Sequence, residues 1–171
     1  MSLTPTPGQT VGPFFHYALP YAGDAELVPP ARAEAIRLHG RVYDGAGDPV
    51  PDALVEVWQT GPDGAVPQVA GSLRRDGYTF TGFGRAQTDR TGHYRFSTLR
   101  PGALSSAGAP YFALTVFARG LLDRLFTRAY LPGAAPAELA ALEAVPDDRG
   151  FVFDIRLQGE DETVFLSHAR D

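Results

Sequence analysis

The sequence of 171 residues contains no cysteine and no lysine. The first absence excludes disulfides, thiolate metal sites, iron–sulfur clusters and cysteine nucleophiles. The second excludes Schiff-base chemistry and the phosphate-binding lysine of a P-loop. All 15 basic residues are therefore arginine, and against 20 acidic residues they leave a net charge of −5. Because the arginines form no dense stripe, the sequence predicts no nucleic-acid partner.

Histidine is also scarce, and no two histidines share a short motif. A metal site built on paired histidines would need distant segments to meet in the fold, so we expect ordinary surface or strand histidines. No apolar run is long enough for a membrane-spanning helix, and residues 1–8 lack the features of a signal peptide. We therefore expect a cytoplasmic protein with no membrane partner. The four histidines are His16, His39, His93 and His168.

The chain is 44% hydrophobic and 20% charged, which is typical of a globular domain. Its 19 glycines and 15 prolines disfavour long helices. Alternating apolar and polar residues predict short strands, joined by turns and long loops. The pattern predicts an all-β fold, a β-sandwich of mixed or antiparallel strands with one short helix over residues 135–144. The predicted strands cover residues 35–43, 53–59, 85–88, 94–99, 111–118, 125–131, 150–158 and 163–166.

Residues 89–93 contain a glycine and predict a hairpin connection between two of these strands. Residues 1–34 predict an extended N-terminal arm, because prolines recur through them, and residues 35–171 predict the sandwich domain. The arm carries the aromatic residues Phe14, Phe15, Tyr17 and Tyr21, more than a disordered tail would hold. We expect it to lie either on its own domain or on a partner.

Self-contained catalytic chemistry is not evident. The nucleophile-elbow motif Gly-x-Ser-x-Gly is absent, and the acidic pairs at 147–148 and 160–162 lie in polar, turn-like surroundings. A tyrosine phenolate can bind Fe(III), which makes Tyr78, Tyr94 and Tyr111 candidates, although tyrosines in β-rich proteins usually pack. The residues alone therefore indicate a β-sandwich with an aromatic arm suited to contact.

Five segments resemble the intradiol ring-cleaving dioxygenases in their order and spacing, over nearly the whole chain. The most recognisable is the third, which ends in an Arg-Pro-Gly turn. The resemblance is closest to the α chains of two-chain members. The segments are TPGQTVGPFFHYAL (6–19), GAGDPVPDALVEVWQT (45–60), FTGFGRAQTDRTGHYRFSTLRPG (80–102), APYFALTVFARGLLDRLFTRAYLPG (109–133) and FVFDIRLQGEDETVFL (151–166).

The resemblance implies chemistry that depends on a non-haem Fe(III) held by two tyrosines and two histidines. The family's His-x-His falls here on Tyr111 and Ala113, and one ligand tyrosine falls near Leu104. The other belongs between residues 71 and 82, where Tyr78 is the only tyrosine but does not align with the ligand position. At least three of four ligands are therefore missing, which implies an α chain without metal. The Fe(III) would belong to a partner β chain.

Further expectations follow from the same resemblance. Thr10, Gly12 and Pro13 would line the substrate pocket of the β chain, and no residue of this chain would be catalytic. Tyr111 and Arg128 would belong to a vestigial site, where the arginine neutralises a carboxylate or fills the old cavity. The shared site would take protocatechuate and O₂ and yield 3-carboxy-cis,cis-muconate, within a higher-order oligomer of αβ units.

Two alternatives remain. The chain could be a binding or scaffold module that has the same fold and no enzymatic partner. It could also be a single-chain dioxygenase acting on catechol or hydroxyquinol. The second alternative needs the His-x-His that this sequence lacks.

Overall fold

Alternation along the first strand shows how the sequence builds its sheets. The computed structural model describes residues 10, 12, 14–69, 76–105 and 108–167. In β1 (Ile36–Tyr43), Leu38 and Val42 are fully buried. Arg37, His39 and Arg41 alternate with the buried positions and lie on the outer face, as the two-residue period of a strand requires. One face of the sheet therefore enters the core and the other stays polar.

The strands form two sheets. The first has the order β4-β1-β8-β7, and β9 also pairs with β1. Both β8 and β9 run parallel to β1, and the other pairs are antiparallel. The second sheet has the order β3-β2-β5-β6 and is antiparallel throughout. The strands after β1 are β2 (Leu54–Trp58), β3 (Phe83–Gln87), β4 (His93–Thr98), β5 (Tyr111–Phe117), β6 (Leu125–Tyr130), β7 (Val145–Pro146), β8 (Gly150–Val152) and β9 (Ile155–Arg156).

The core lies between the two sheets. Leu38 and Phe96 of the first sheet belong to the same buried cluster as Val57 and Leu114 of the second. Across the layers, the ring centres of Phe112 and Phe151 are 6.2 Å apart. Face-to-face packing of this kind confirms the predicted all-β sandwich with mixed strand directions.

The predicted hairpin at residues 89–93 is wrong. It connects β3 to β4, but β3 pairs with β2 in the second sheet and β4 pairs with β1 in the first. The turn itself is tight, because Asp89 Oδ1 accepts hydrogen bonds from the amides of Thr91 and His93. The segment therefore carries the chain from one layer to the other.

The predicted helix is shorter and tighter than expected. Residues Ala137–Leu142 form a 3-10 helix, and Leu139 within it departs from helical geometry. The helix ends there because Leu142 is buried and the Ala144 amide donates to the Tyr130 carbonyl of β6 at 2.9 Å. The hydrogen bond of Ala144 to β6 thus limits the length of the helix, despite the helical propensity of the alanine-rich segment.

Two further predictions need correction. The segment 163–166 is not a strand, although the Leu166 amide donates to the Phe126 carbonyl at 2.7 Å. The predicted strand 150–158 is divided into β8 and β9. The arm also contains a one-turn helix, α1 (Phe15–Ala18), which the sequence did not predict.

Part of the predicted arm is built into the sandwich. Leu27 and Val28 are buried, and their amides donate to the Ser97 carbonyl of β4. The Ser97 amide in turn donates to the Ala25 carbonyl at 2.9 Å. These bonds extend the edge of the first sheet. The division of the chain at residue 34 stays a prediction.

Candidate functional site

A cleft of about 160 Å³ opens on the outer face of the second sheet. Trp58 and Ala113 are directly opposite each other on β2 and β5, and they form part of its wall. Trp58 is 50% exposed. Loops after β2 and before β5 supply the rest. The lining residues are Trp58, Gln59, Thr60, Val66, Pro67, Gly102, Leu104, Ala109, Tyr111 and Ala113.

The cleft brings together the positions that the family resemblance assigns to iron ligands. Leu104, Tyr111 and Ala113 come from a loop and from β5, and all three line it. Tyr78 does not, since its side chain is 88% exposed and outside the lining. The strand period explains why Tyr111 and Ala113 of β5 line the same cleft, because residues two apart point to the same face.

Arg128 lies beside this cleft without lining it. Its position on β6 is directly opposite Ala113. The guanidinium carbon is 4.4 Å from the centre of the Tyr111 ring, and Nη1 donates to the Tyr130 hydroxyl at 3.0 Å. That hydrogen bond raises the pKa of Arg128. Among the described residues, no carboxylate forms an ion pair with this arginine.

The cleft does not fit an Fe(III) centre. Leu104 and Ala113 present hydrocarbon at two of the expected ligand positions, and the Tyr111 phenol ring lies against a cation. Fe(III) sites of this class need several nitrogen and oxygen donors around one point. Over the described part of the chain, no group of three or more histidines and carboxylates is placed to hold a metal.

The other candidate tyrosine, Tyr94, is a core residue. It is 1% exposed, and its hydroxyl donates to the Phe153 carbonyl at 2.5 Å. Burial raises its pKa far above the ordinary value of 10.0. The phenol therefore stays protonated and connects β4 to the end of β8.

The structure brings two of the scattered histidines together. His39 Nδ1 is 3.2 Å from His93 Nε2, and His39 Nε2 is 2.8 Å from Asp147 Oδ2. Both are strand histidines, and they meet because strand pairing between β1 and β4 joins distant segments. The two nitrogens of His39 face different partners, so they do not converge on one ion. His168 lies outside the described residues.

The arm docks on the second sheet through one of its aromatic residues. Phe15 is buried, and its ring centre is 6.3 Å from that of Phe117 on β5. Arg85 Nη1 donates to the Leu19 carbonyl at 2.8 Å. Phe14, just before α1, and Tyr17 within it are exposed. Residues 14–19 of the arm thus lie on their own domain and still present aromatic surface.

The residues predicted to reach a partner's pocket lie before α1. Thr10 is exposed, and its hydroxyl oxygen accepts a hydrogen bond from the Gly12 amide at 3.3 Å. Gly12 has a φ of 67°, a left-handed conformation that favours glycine. Pro13 lies outside the described residues.

Sequence reasoning missed Trp58 and Val66 as cleft residues. Trp58 follows Glu56 on the outward-facing positions of β2, where a large aromatic side chain is unusual unless something covers or contacts it. That exposed position was the available signal. Val66 lies in a loop, where no local pattern identifies it.

Comparison with known proteins identifies the family. Residues 20–134 match the family described as Dioxygenase. The chain is 36% identical to the protocatechuate 3,4-dioxygenase alpha chain of Burkholderia cepacia, over 96% of this chain and 98% of that one. This chain belongs to the intradiol ring-cleaving dioxygenases.

Two further comparisons show lower identity to other dioxygenases. The chain is 33% identical to the protocatechuate 3,4-dioxygenase beta chain of Burkholderia cepacia, over 76% of this chain and 67% of that one. The dioxygenase domain of a carbohydrate-binding fusion from Streptomyces sp. SirexAA-E superposes with a TM-score of 0.58 at 24% identity. That comparison covers 91% of this chain and 99% of the other and shows the shared fold. None of the described helices has the length and apolar character needed to cross a membrane.

Proposed function

We propose that this chain is the non-metal α subunit of a protocatechuate 3,4-dioxygenase. It would wall the substrate pocket of a β chain that holds the Fe(III). The reaction consumes O₂ and opens protocatechuate between its hydroxyls, giving 3-carboxy-cis,cis-muconate. The observation that carries the proposal is the cleft, where Leu104 and Ala113 lie at positions that the family resemblance assigns to iron ligands.

Similarity to both chain types supports a two-chain enzyme. The match to the Burkholderia cepacia α chain extends over nearly all of both chains, whereas the match to its β chain is shorter. A chain whose own cleft does not fit iron needs a partner that supplies it. We expect the α and β chains to assemble into a higher-order oligomer in the cytoplasm.

The arm is the part of this chain that we expect to reach the partner's pocket. Thr10 would offer its hydroxyl, Gly12 its open backbone, and Pro13 a fixed turn. No described atom of the domain lies within 4 Å of a Cβ built on Gly12. The space beside the Gly12 backbone is therefore open, which leaves room for contact with another chain.

The direct test is co-expression with a β chain of this family. We expect the chain alone to be colourless and without stoichiometric iron. The complex should bind iron, absorb visible light through tyrosinate-to-iron charge transfer and consume O₂ with protocatechuate. Stoichiometric iron with turnover in the chain alone would contradict the proposal.

A pair of glycine variants tests the arm. Gly12→Val and Gly47→Val both place a branched side chain at positive φ, 67° and 86° respectively, with open space around it. Only Gly12 lies in the predicted pocket-lining turn. We expect kcat/KM of the complex to fall about tenfold in Gly12→Val and to stay unchanged in Gly47→Val. Equal losses would show that backbone strain, and not the pocket, is responsible.

The scaffold alternative makes the opposite prediction. A binding module without an enzymatic partner would remain a monomer in the presence of a β chain. Size-exclusion chromatography of the co-expressed chains separates these outcomes.

A further inference from the structure

We propose that a groove on the outer face of the first sheet binds a small aliphatic anion with two carboxylates. The groove lies on the other side of the sandwich from the cleft beside Trp58. The inference therefore goes beyond the proposed function, and either can fail without the other. Three observations support it: walls that are already in place, arginines without acidic partners, and apolar surface beside them.

The groove has a volume of about 700 Å³ and is held open by hydrogen bonds on both sides. The arm forms one wall, and the Ser97 amide of β4 donates to the Ala25 carbonyl of that wall at 2.9 Å. The turn before β8 forms the other wall, where the Arg37 amide of β1 donates to the Arg149 carbonyl at 2.9 Å. Both walls are therefore joined to the strands of the floor, and binding needs no loop to become ordered.

Two arginines in the floor of the groove have no acidic partner. Arg37 is directly opposite Ser97, and Arg95 lies two residues before Ser97 on β4, so the arginines are diagonal neighbours on one face. The Cβ atoms of such neighbours are roughly 7 Å apart. Within residues 14–69, 76–105 and 108–167, no carboxylate forms an ion pair with either arginine. An anion between the two guanidinium groups would relieve the repulsion between them.

The acidic groups of the groove leave it net positive. Asp148 Oδ2 lies 3.7 Å from Arg149 Nε, so these two charges offset each other. Glu26 is exposed on the arm wall and forms no ion pair within the part of the chain that the structure describes. The lining thus has three arginines and two carboxylates, on a chain whose net charge is −5. Because Glu26 lies in the same groove, we expect its carboxylate to oppose the binding of an anion.

The remaining lining indicates an aliphatic carbon skeleton. Pro30, Ala35 and Ile36 contribute apolar surface, which an inorganic anion would leave in contact with water. Phe96 also lines the groove but is only 1% exposed, so its ring offers little face for stacking. Each guanidinium pairs well with the two oxygens of one carboxylate. Two arginines and an apolar surface therefore suit a short carbon chain with a carboxylate at each end.

The test is a titration of the full ¹⁵N-labelled chain with succinate at pH 7 and low ionic strength, followed by NMR. The amide signals of Glu26, Ser97 and Arg149 should shift and saturate with a Kd of about a millimolar. The Nε–H signals of Arg37 and Arg95 should follow the same curve. Butyrate has one carboxylate on a chain of the same length, and sulfate has two charges and no carbon. Each should bind about fivefold more weakly than succinate.

Four variants locate the site. Arg37→Met and Arg95→Met keep an unbranched side chain and remove one charge, and each should weaken succinate about fivefold. Glu26→Gln removes the opposing carboxylate at an exposed position and should strengthen succinate about twofold. Arg41→Met is the matched control, because Arg41 is exposed on the same face of β1 and does not line the groove. It should change the Kd less than about twofold.

Several results would overturn the inference. Shifts that rise linearly without saturation would exclude the groove as a site. A loss in Arg41→Met as large as that in the floor variants would assign the effect to the general charge of the face. Equal affinity for succinate and for sulfate or butyrate would show an adventitious ion only. If an acidic peptide binds and succinate does not, the occupant is a polypeptide and the assignment is wrong.

Discussion

Replacement of Arg85 by methionine should destabilise the protein and release the arm. Its guanidinium joins three parts of the fold. Nε and Nη2 donate to Glu56 Oε1 on β2 at 2.9 and 2.5 Å, and Nη1 donates to the Leu19 carbonyl of the arm at 2.8 Å. The ion pair is largely shielded from water, with side chains 14% and 16% exposed for Arg85 and Glu56 respectively. Arg85→Met leaves the carboxylate shielded and without its cation.

The size of the effect follows from that shielding. Breaking one side of a buried ion pair costs roughly 3–5 kcal/mol, and the residual exposure of this pair places it near 3 kcal/mol. The double variant Glu56→Leu with Arg85→Met removes both charges. We expect it to cost only about 1 kcal/mol, because no unpaired charge remains.

Urea unfolding followed by Trp58 fluorescence measures both variants, since Trp58 is on β2 with its ring centre 4.6 Å from that of Phe83. Limited proteolysis after Tyr17 or Leu19 reports release of the arm. A loss below about 0.5 kcal/mol for Arg85→Met would refute the reasoning. So would a double variant as unstable as the sum of the single changes.

Three other changes test separate features. Burial and the adjacent His39 lower the pKa of His93 below its ordinary 6.5, so the unfolded chain takes up this proton first. The free energy of unfolding should therefore fall as the pH drops below about 6.5, and His93→Gln should flatten that dependence in urea titrations at several pH values. Thr88→Val should cost about 2 kcal/mol in urea unfolding, because the buried hydroxyl bonds an amide and a carbonyl before β2 at 2.9 and 2.8 Å. Gly40→Ala should abolish the folded circular dichroism spectrum, since its Cβ would lie 2.0 Å from the Phe153 carbonyl oxygen; a folded variant would contradict this.

The local sequence pattern was sufficient to predict a strand where the two-residue period and burial coincide. Both β1 and β5 match the predicted segments closely, because each alternates apolar residues facing the core with other residues facing out. The same pattern could not reveal which strands pair with each other. It joined β3 to β4 as a hairpin, whereas the structure places them in different sheets. Strand pairing depends on contacts between distant segments, which a short window does not contain.

The candidate site was predictable in part. The resemblance placed Leu104, Tyr111 and Ala113 at related positions, and the structure brings them into one cleft. The stacking of Arg128 on Tyr111 depends on cross-strand register between β5 and β6, which sequence spacing does not fix. The meeting of His39 and His93 has the same origin.

The parallel pairing of β1 with β8 and β9 has a consequence for synthesis on the ribosome. The second sheet, which carries the cleft, needs no residue beyond Tyr130 to complete its four strands. The first sheet begins at Ile36 but is complete only when Arg156 has been synthesised. The parallel neighbours of β1, which are β8 and β9, lie near the end of the described chain. A nascent chain therefore leaves one edge of β1 unpaired after all four strands of the other sheet have been synthesised. Translation order leaves this edge of β1 open to pairing with another chain until β8 and β9 follow.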